Sequence, residues 1–305
     1  IEGSDARADG GEDEIKTGVG NLTIEDADFD VTDKATIGDD GLYRATKSLT
    51  VNIPDGTYTQ PGVYRYEVTE GAAQGSVAAD ITNDSVSKKY LDIFVKKVDD
   101  KCEVYGSRLV NDLNSKEDKN GKAKSFENTY TTYDLDLTKH VTGDMGETDY
   151  PFEFTVEFSG PVNTTFTVGG TGYEEDSVTL VGEKGESTGT ATMKVNLADA
   201  ETLELSGIPS CVEYTITETN PGKGYSTTNV IDGDWQTVEF DGENDYSTEK
   251  QTMTQKDHKV DFVNNRNAGD IPATGIILNF APYILLVAFA GVFAVLFLRK
   301  RREEF

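Results

Sequence analysis

Apolar and polar positions alternate with period two along much of this chain. Leu49, Val51 and Ile53 alternate in SLTVNIP, and Phe152, Phe154, Val156 and Phe158 in PFEFTVEFSG. Met193, Val195 and Leu197 do so in TMKVNLAD. Successive side chains of an extended chain point to opposite faces, so this period reads as strands with one face buried. Clusters such as GDDG, DLNSKEDKNGK, GEKGESTG and DGEND separate the runs and read as turns. No soluble stretch carries the 3.6-residue helical period. The pattern predicts an all-β chain built from two tandem Ig-like β-sandwich domains.

The C-terminal end breaks the pattern. From Gly275 to Leu298 the sequence is almost wholly apolar, with Asn279 as its one strongly polar side chain. As a helix this run is roughly 36 Å long, enough to cross a hydrocarbon core. Arg299, Lys300, Arg301 and Arg302 follow at once and are expected to stay in the cytoplasm. The prediction is a single C-terminal transmembrane helix over 275–298, with everything before it exported.

Immediately before that run stands IPATG: Ile271, Pro272, Ala273, Thr274 and Gly275. Pentapeptide, apolar span and basic tail, in that order, resemble the cell-wall sorting signal of Gram-positive surface proteins. Ile271 takes the place of the usual leucine. The resemblance implies that a sortase attacks the Thr274 carbonyl, releases Gly275 onward and passes Thr274 to an amine. The membrane helix is then a transient hold, and the expected location is the cell surface or cell wall, with peptidoglycan as a partner.

Charge and composition narrow the function. A formal net charge of −27 over 305 residues argues against DNA, RNA or anionic lipid as a partner of the main body. Cys102 and Cys211 fall in different predicted domains, so no disulfide between them is expected. His140 and His258 have no partner at zinc-ligand spacing, and no metal or other cofactor is implied. Asp26, Asp28 and Asp30 begin like a calcium loop, but Val31 and Ile37 stand where that loop needs glycine and glutamate. No Ser/His/Asp grouping suggests an enzyme. No basic n-region or apolar h-region follows Ile1, and the export signal is expected to lie upstream of this sequence.

A weak two-fold repeat divides the body. YEVTE at 66–70 returns as YTITE at 214–218, and FEN at 126–128 returns as FVN at 262–264. The expected division is an N-terminal sandwich over 1–130, a second sandwich over 131–267 and the sorting signal over 268–305.

Three polar residues of the second domain lie in phase with apolar stripes. Tyr133, Leu135, Leu137, Lys139 and Val141 share one strand face; so do Val212, Tyr214, Ile216 and Glu218; so do Val260, Phe262 and Asn264. Phase alone leaves two readings open, a solvated strand rim or a buried cluster. Buried together, the three have a chemistry. Desolvation favours a neutral amine and a protonated carboxyl. Lys139 could attack the Asn264 carboxamide while Glu218 moves protons and ammonia leaves, forming an isopeptide bond.

The segments LDLTKHVTG, LSGIPSCVEYTITE and VDFVNN resemble the lysine, glutamate and asparagine segments of isopeptide-linkage domains in sortase-assembled backbone pilins of Gram-positive bacteria. IPATGIILNFAPYILL resembles their C-terminal end. The resemblance covers roughly residues 45–305. It implies Lys139, Glu218 and Asn264 as bond-forming residues, and Glu70 and Asn128 as their counterparts in the first domain. No lysine stands upstream of Glu70 at the matching distance, so the first strand of that domain and its lysine are expected to lie outside this sequence. Lys122 and Lys124, just before Asn128, are candidates for the amine that receives Thr274 of the next subunit. The function implied is a structural shaft subunit of a covalent pilus, with a sortase and other pilin subunits as partners. The alternative is a wall-anchored adhesin or minor pilin that binds a host ligand.

Overall fold

A computed structural model describes residues 2–3, 15–24, 29, 36–37, 39, 43–113, 122–123, 125–222, 224–236 and 244–268. Among them the structure is all-β, and the one helical turn is a 3₁₀ turn at Ala78–Asp80. None of the described helices is long and apolar enough to cross a membrane. The sorting pentapeptide, the apolar run over 275–298, Lys124 and the Asp26/Asp28/Asp30 segment all lie outside the described residues.

The chain separates into two compact units. One comprises Ile1–Thr132 with Pro209–Cys211; the other comprises Tyr133–Ile208 and Val212–Phe305. Cys102 and Cys211 are both free and half-buried.

The first unit centres on Gly62–Thr69, Lys88–Val98 and Lys101–Val110, hydrogen-bonded in that order. Glu2–Gly3 and Ile15–Thr17 also pair with Gly62–Thr69, and Lys122–Ala123 pairs with Lys101–Val110. Tyr64, Tyr66, Val68, Ile93 and Val95 pack into its core with Leu22 and Tyr58. Beside this core lies a buried ion pair. Two of the three guanidinium nitrogens of Arg65, Nε and Nη2, donate to the Asp92 carboxylate, at 2.6 and 2.8 Å. Arg108 adds a third bond to the same carboxylate at 2.8 Å. In SLTVNIP the alternation is only half realised: Val51 and Ile53 pack on the core, whereas Leu49 is 51% exposed. Its stretch pairs with a neighbour only at Val51–Asn52, so no sheet carries the phase back to Leu49.

The second unit is a two-sheet sandwich. One sheet runs in the order Ser177–Thr179, Thr165–Gly170, Thr202–Ile208, Tyr133–Thr142, His258–Asn265, Ser226–Ile231, Asp234–Gln236. The other places Phe152–Pro161 between Thr188–Leu197 and Glu213–Glu218. Inward residues follow the period-two pattern closely. Phe152, Phe154, Val156 and Phe158 are all buried, as are Met193, Val195 and Leu197. Aromatic edges join the two sheets, with Phe154 meeting Phe262 edge-on at 5.2 Å between centroids.

One pairing bears directly on the site. The first strand of this unit, Tyr133–Thr142, lies parallel to its last strand, His258–Asn265. Parallel neighbours cannot be joined by a hairpin, so nearly the whole unit forms the connection. Gly143 ends the first strand at φ +91, and a Cβ there would collide with the Arg266 carbonyl just past the last strand. Met145 N–H donates to that carbonyl at 3.0 Å, and Arg266 N–H donates to the Thr142 carbonyl at 3.1 Å.

At the opposite end of the last strand, His258 is buried. Its Nδ1 lies 2.9 Å from the Tyr214 hydroxyl and its Nε2 lies 2.9 Å from the Thr254 hydroxyl. Burial holds its pKa below the ordinary histidine value. The folded state therefore prefers the neutral ring. Stability from this site is present above about pH 6.5, the unfolded value, and is lost as pH falls toward the depressed native one. The urea midpoint is expected to drop between pH 7 and pH 5, and His258→Asn should flatten that slope. Phe154→Ala should cost about 3–5 kcal/mol in the same assay, because it empties the centre of the sandwich.

Candidate functional site

Lys139, Glu218 and Asn264 meet in the core of the second unit. Each is 0% exposed. Lys139 comes from the first strand and Asn264 from the adjacent last strand, where Val141 pairs with Asn264 and Lys139 with Phe262. Glu218 ends Glu213–Glu218 on the facing sheet, in register with Phe154. The inward phase selects all three, which excludes the solvated-rim reading.

One oxygen joins the cluster. Glu218 Oε1 lies 3.0 Å from Lys139 Nζ. The same oxygen accepts a 2.6 Å hydrogen bond from Asn264 Nδ2. The amine is close to the carboxylate but lacks hydrogen-bond alignment, and Glu218 Oε2 has no partner. Phe152 and Phe154 wall the amine, with ring centroids 4.4 and 5.7 Å from Nζ. Such a pocket is a poor place for charge. Desolvation dominates both titrations. It brings the Lys139 amine down to about 8 against the pull of the Glu218 charge, and it raises the Glu218 carboxyl against the pull of Lys139. Both shifts favour a neutral amine beside a protonated acid, the state in which lysine is a nucleophile.

The carboxamide is fixed at its other end too. The buried Thr227 hydroxyl donates to Asn264 Oδ1 at 2.7 Å. Sequence reasoning did not single out Thr227, although the signal was present. Tyr225, Thr227, Asn229 and Ile231 share one strand phase, and all four are buried.

The first unit repeats part of this arrangement. Asn128 Nδ2 donates to Glu70 Oε1 at 2.7 Å, and the other Glu70 oxygen is buried without a hydrogen-bond partner. The Asp84 backbone N–H donates to Asn128 Oδ1 at 2.9 Å. Among the described residues no lysine pairs with Glu70. Lys89 instead donates to Asp84 Oδ2 at 2.6 Å and to the Ser125 carbonyl at 2.7 Å. Its hydrogen bond is the main reason the Asp84 carboxyl sits down at about 2. Lys122 lies on the two-residue strand Lys122–Ala123, paired to Val110. Asn128 lies outside that strand, just before Thr129–Tyr130.

What this arrangement offers is acyl transfer to an amine inside a dry core. The described residues contain no grouping of His, Cys, Asp and Glu able to hold a metal.

Residues 10–131 match a family described as the Spy0128-like isopeptide containing domain. Residues 133–266 match a second family, described only as a domain of unknown function. A curated pilin of Streptococcus pyogenes serotype M1 is 26% identical over 272 residues, spanning 84% of this chain and 72% of that protein. The crystal structure of the major pilin from Streptococcus pyogenes is similar in fold, with TM-score 0.51 and 18% identity over 81% of this chain and 90% of that one. The T-13 major pilin of the same species gives TM-score 0.51 and 20% identity over 83% of each chain. These relatives are structural pilin proteins, not enzymes. On family match, sequence and fold together, the chain is a relative of the sortase-assembled backbone pilins of Gram-positive bacteria that carry isopeptide domains.

Proposed function

We propose that this pilus subunit is a shaft component whose second unit closes a Lys139–Asn264 isopeptide bond, and that sortase joins it to its neighbours through Thr274. The observation that carries the first part is the bridging oxygen: Glu218 Oε1 contacts both the attacking and the leaving nitrogen in a site with no solvent exposure.

The chemistry follows from those contacts. Lys139 gives a proton to Glu218 and becomes a neutral amine. Its Nζ attacks Cγ of Asn264, and a C–N bond forms. Glu218 delivers the proton to Nδ2, the Cγ–Nδ2 bond breaks and ammonia leaves. Glu218 then takes the surplus proton from Nζ and ends as the neutral acid. The reaction happens once per chain, so the protein is its own substrate and not an enzyme. Closing a loop of about 125 residues contributes roughly 4–5 kcal/mol if the native geometry is unstrained.

The Glu70–Asn128 pair supports the same role in the first unit. Among the described residues no lysine joins that pair. Thr274 is the acyl donor between subunits or to peptidoglycan, after the apolar run over 275–298 has held the chain at the membrane. Lys122 and Lys124 are the candidate acceptor amines.

Intact mass tests the internal bond. The folded chain should weigh one ammonia less than its sequence mass, and Glu218→Ala should restore the full mass. A full mass in folded wild-type protein sinks the proposal. Asn264→Ala should lower stability by at least the roughly 4–5 kcal/mol of the lost cross-link, read from denaturant midpoints. The linkage between subunits is read as a ladder of multimers on denaturing gels of cell-wall extracts. Thr274→Ala should abolish the ladder, and replacing both Lys122 and Lys124 with arginine should do the same. A ladder that survives the double arginine variant removes those lysines as acceptors.

A further inference from the structure

Resting on the isopeptide reading above, we infer that Thr227 is a catalytic residue of bond formation: its hydroxyl stabilises the oxyanion that develops on Asn264 Oδ1 when Lys139 attacks.

The geometry is specific. Thr227 pairs directly with Asn264 across the antiparallel strands Ser226–Ile231 and His258–Asn265. Its hydroxyl is 2.7 Å from Oδ1 and is buried with it. A β-branched side chain on a central strand has little rotamer freedom, so the donor is aimed before the reaction begins. In the planar carboxamide Oδ1 carries a partial charge; in the tetrahedral intermediate it carries a full one. A fixed donor in a water-free site gains strength as that charge grows, which is the condition for lowering a barrier rather than only binding the ground state. The carboxamide is thus gripped at both ends, by Glu218 on the nitrogen that leaves and by Thr227 on the oxygen that becomes charged.

The first unit shows a related contact at an exposed asparagine. There the donor to the Asn128 carboxamide oxygen is the Asp84 backbone N–H at 2.9 Å, while Glu70 holds the nitrogen. Two units with unrelated residues at this position both set a donor on the oxygen and a carboxylate on the nitrogen. Only at Thr227 is that donor buried together with its oxygen, which is the condition the inference rests on.

In the step itself, Nζ bonds to Cγ and the carbonyl electron pair moves onto Oδ1, where the Thr227 O–H meets it. The pair returns as the Cγ–Nδ2 bond breaks toward the proton delivered by Glu218. Thr227 keeps its own proton throughout. The bond it makes shortens and relaxes, and nothing is consumed.

The test follows the full chain during a short cell-free synthesis pulse, quenched in acid at timed intervals, with ammonia loss read by intact mass. Thr227→Val preserves shape and removes the donor, and should slow the loss about 100- to 1,000-fold. Thr227→Ser keeps the hydroxyl and should remain within a few-fold of wild type. Near-ultraviolet circular dichroism reports folding in parallel. If the valine variant does not fold, Thr227→Cys replaces it, and its weak thiol donor should still leave it well behind serine. A merely structural role predicts slowing in proportion to lost stability, with serine faring no better than valine at equal stability. Valine, or cysteine in its place, reacting as fast as wild type overturns the inference while the isopeptide reading stands. A wild-type chain that never loses ammonia overturns both.

Discussion

The second unit is organised around a burial that would otherwise be ruinous. A lysine, a glutamate and an asparagine sit fully enclosed between two apolar sheets. A charged amine and carboxylate there cost several kcal/mol each in solvation, and their mutual attraction recovers only part of it. The pocket offers the amine aromatic faces and one carboxylate oxygen, and little else. It therefore favours the neutral forms, and the neutral forms are reactive. On the proposed reading, folding and bond chemistry are one event: closing the sandwich expels water, and expelling water arms the nucleophile.

The position of the cluster explains why a shaft protein would use it. Lys139 and Asn264 stand on the first and last strands of the unit, side by side and parallel. In a chain pulled from its two ends, load enters on one of these strands and leaves on the other. A covalent link between them carries that load past the intervening loop of about 125 residues. With its two cysteines free and half-buried, the chain has no disulfide for the task. The turn at Gly143 and the hydrogen bonds to Arg266 hold the two strands in register beside the cluster.

Much of this was legible in the sequence, because strand period is simple and the core enforces it. Lys139, Glu218 and Asn264 could be placed in one phase with Leu137, Ile216 and Phe262 without any structure. The repeat of YEVTE in YTITE marked the carboxylates that both turn out to grip a carboxamide nitrogen. Other features were hidden for physical reasons. Thr227 shares the inward phase, but a threonine on a strand is ordinary until its partner is known. The Asp84 N–H that serves Asn128 is a backbone group and leaves no signature in side-chain chemistry. Leu49 kept the alternation and still emerged exposed, since phase has force only where a sheet holds it. The resemblance to pilins added what periodicity could not, the role implied for such a bond in a pilus.

The most direct measurement is a peptide map of the folded, mature protein. Digestion under denaturing conditions should yield one branched species in which the peptide bearing Lys139 is joined to the peptide bearing Asn264, lighter than their sum by one ammonia. Fragmentation should locate the branch at those two side chains. Recovery of both peptides as separate, full-mass species from folded protein would contradict the account, leaving Lys139 and Glu218 as a buried pair with no bond to make.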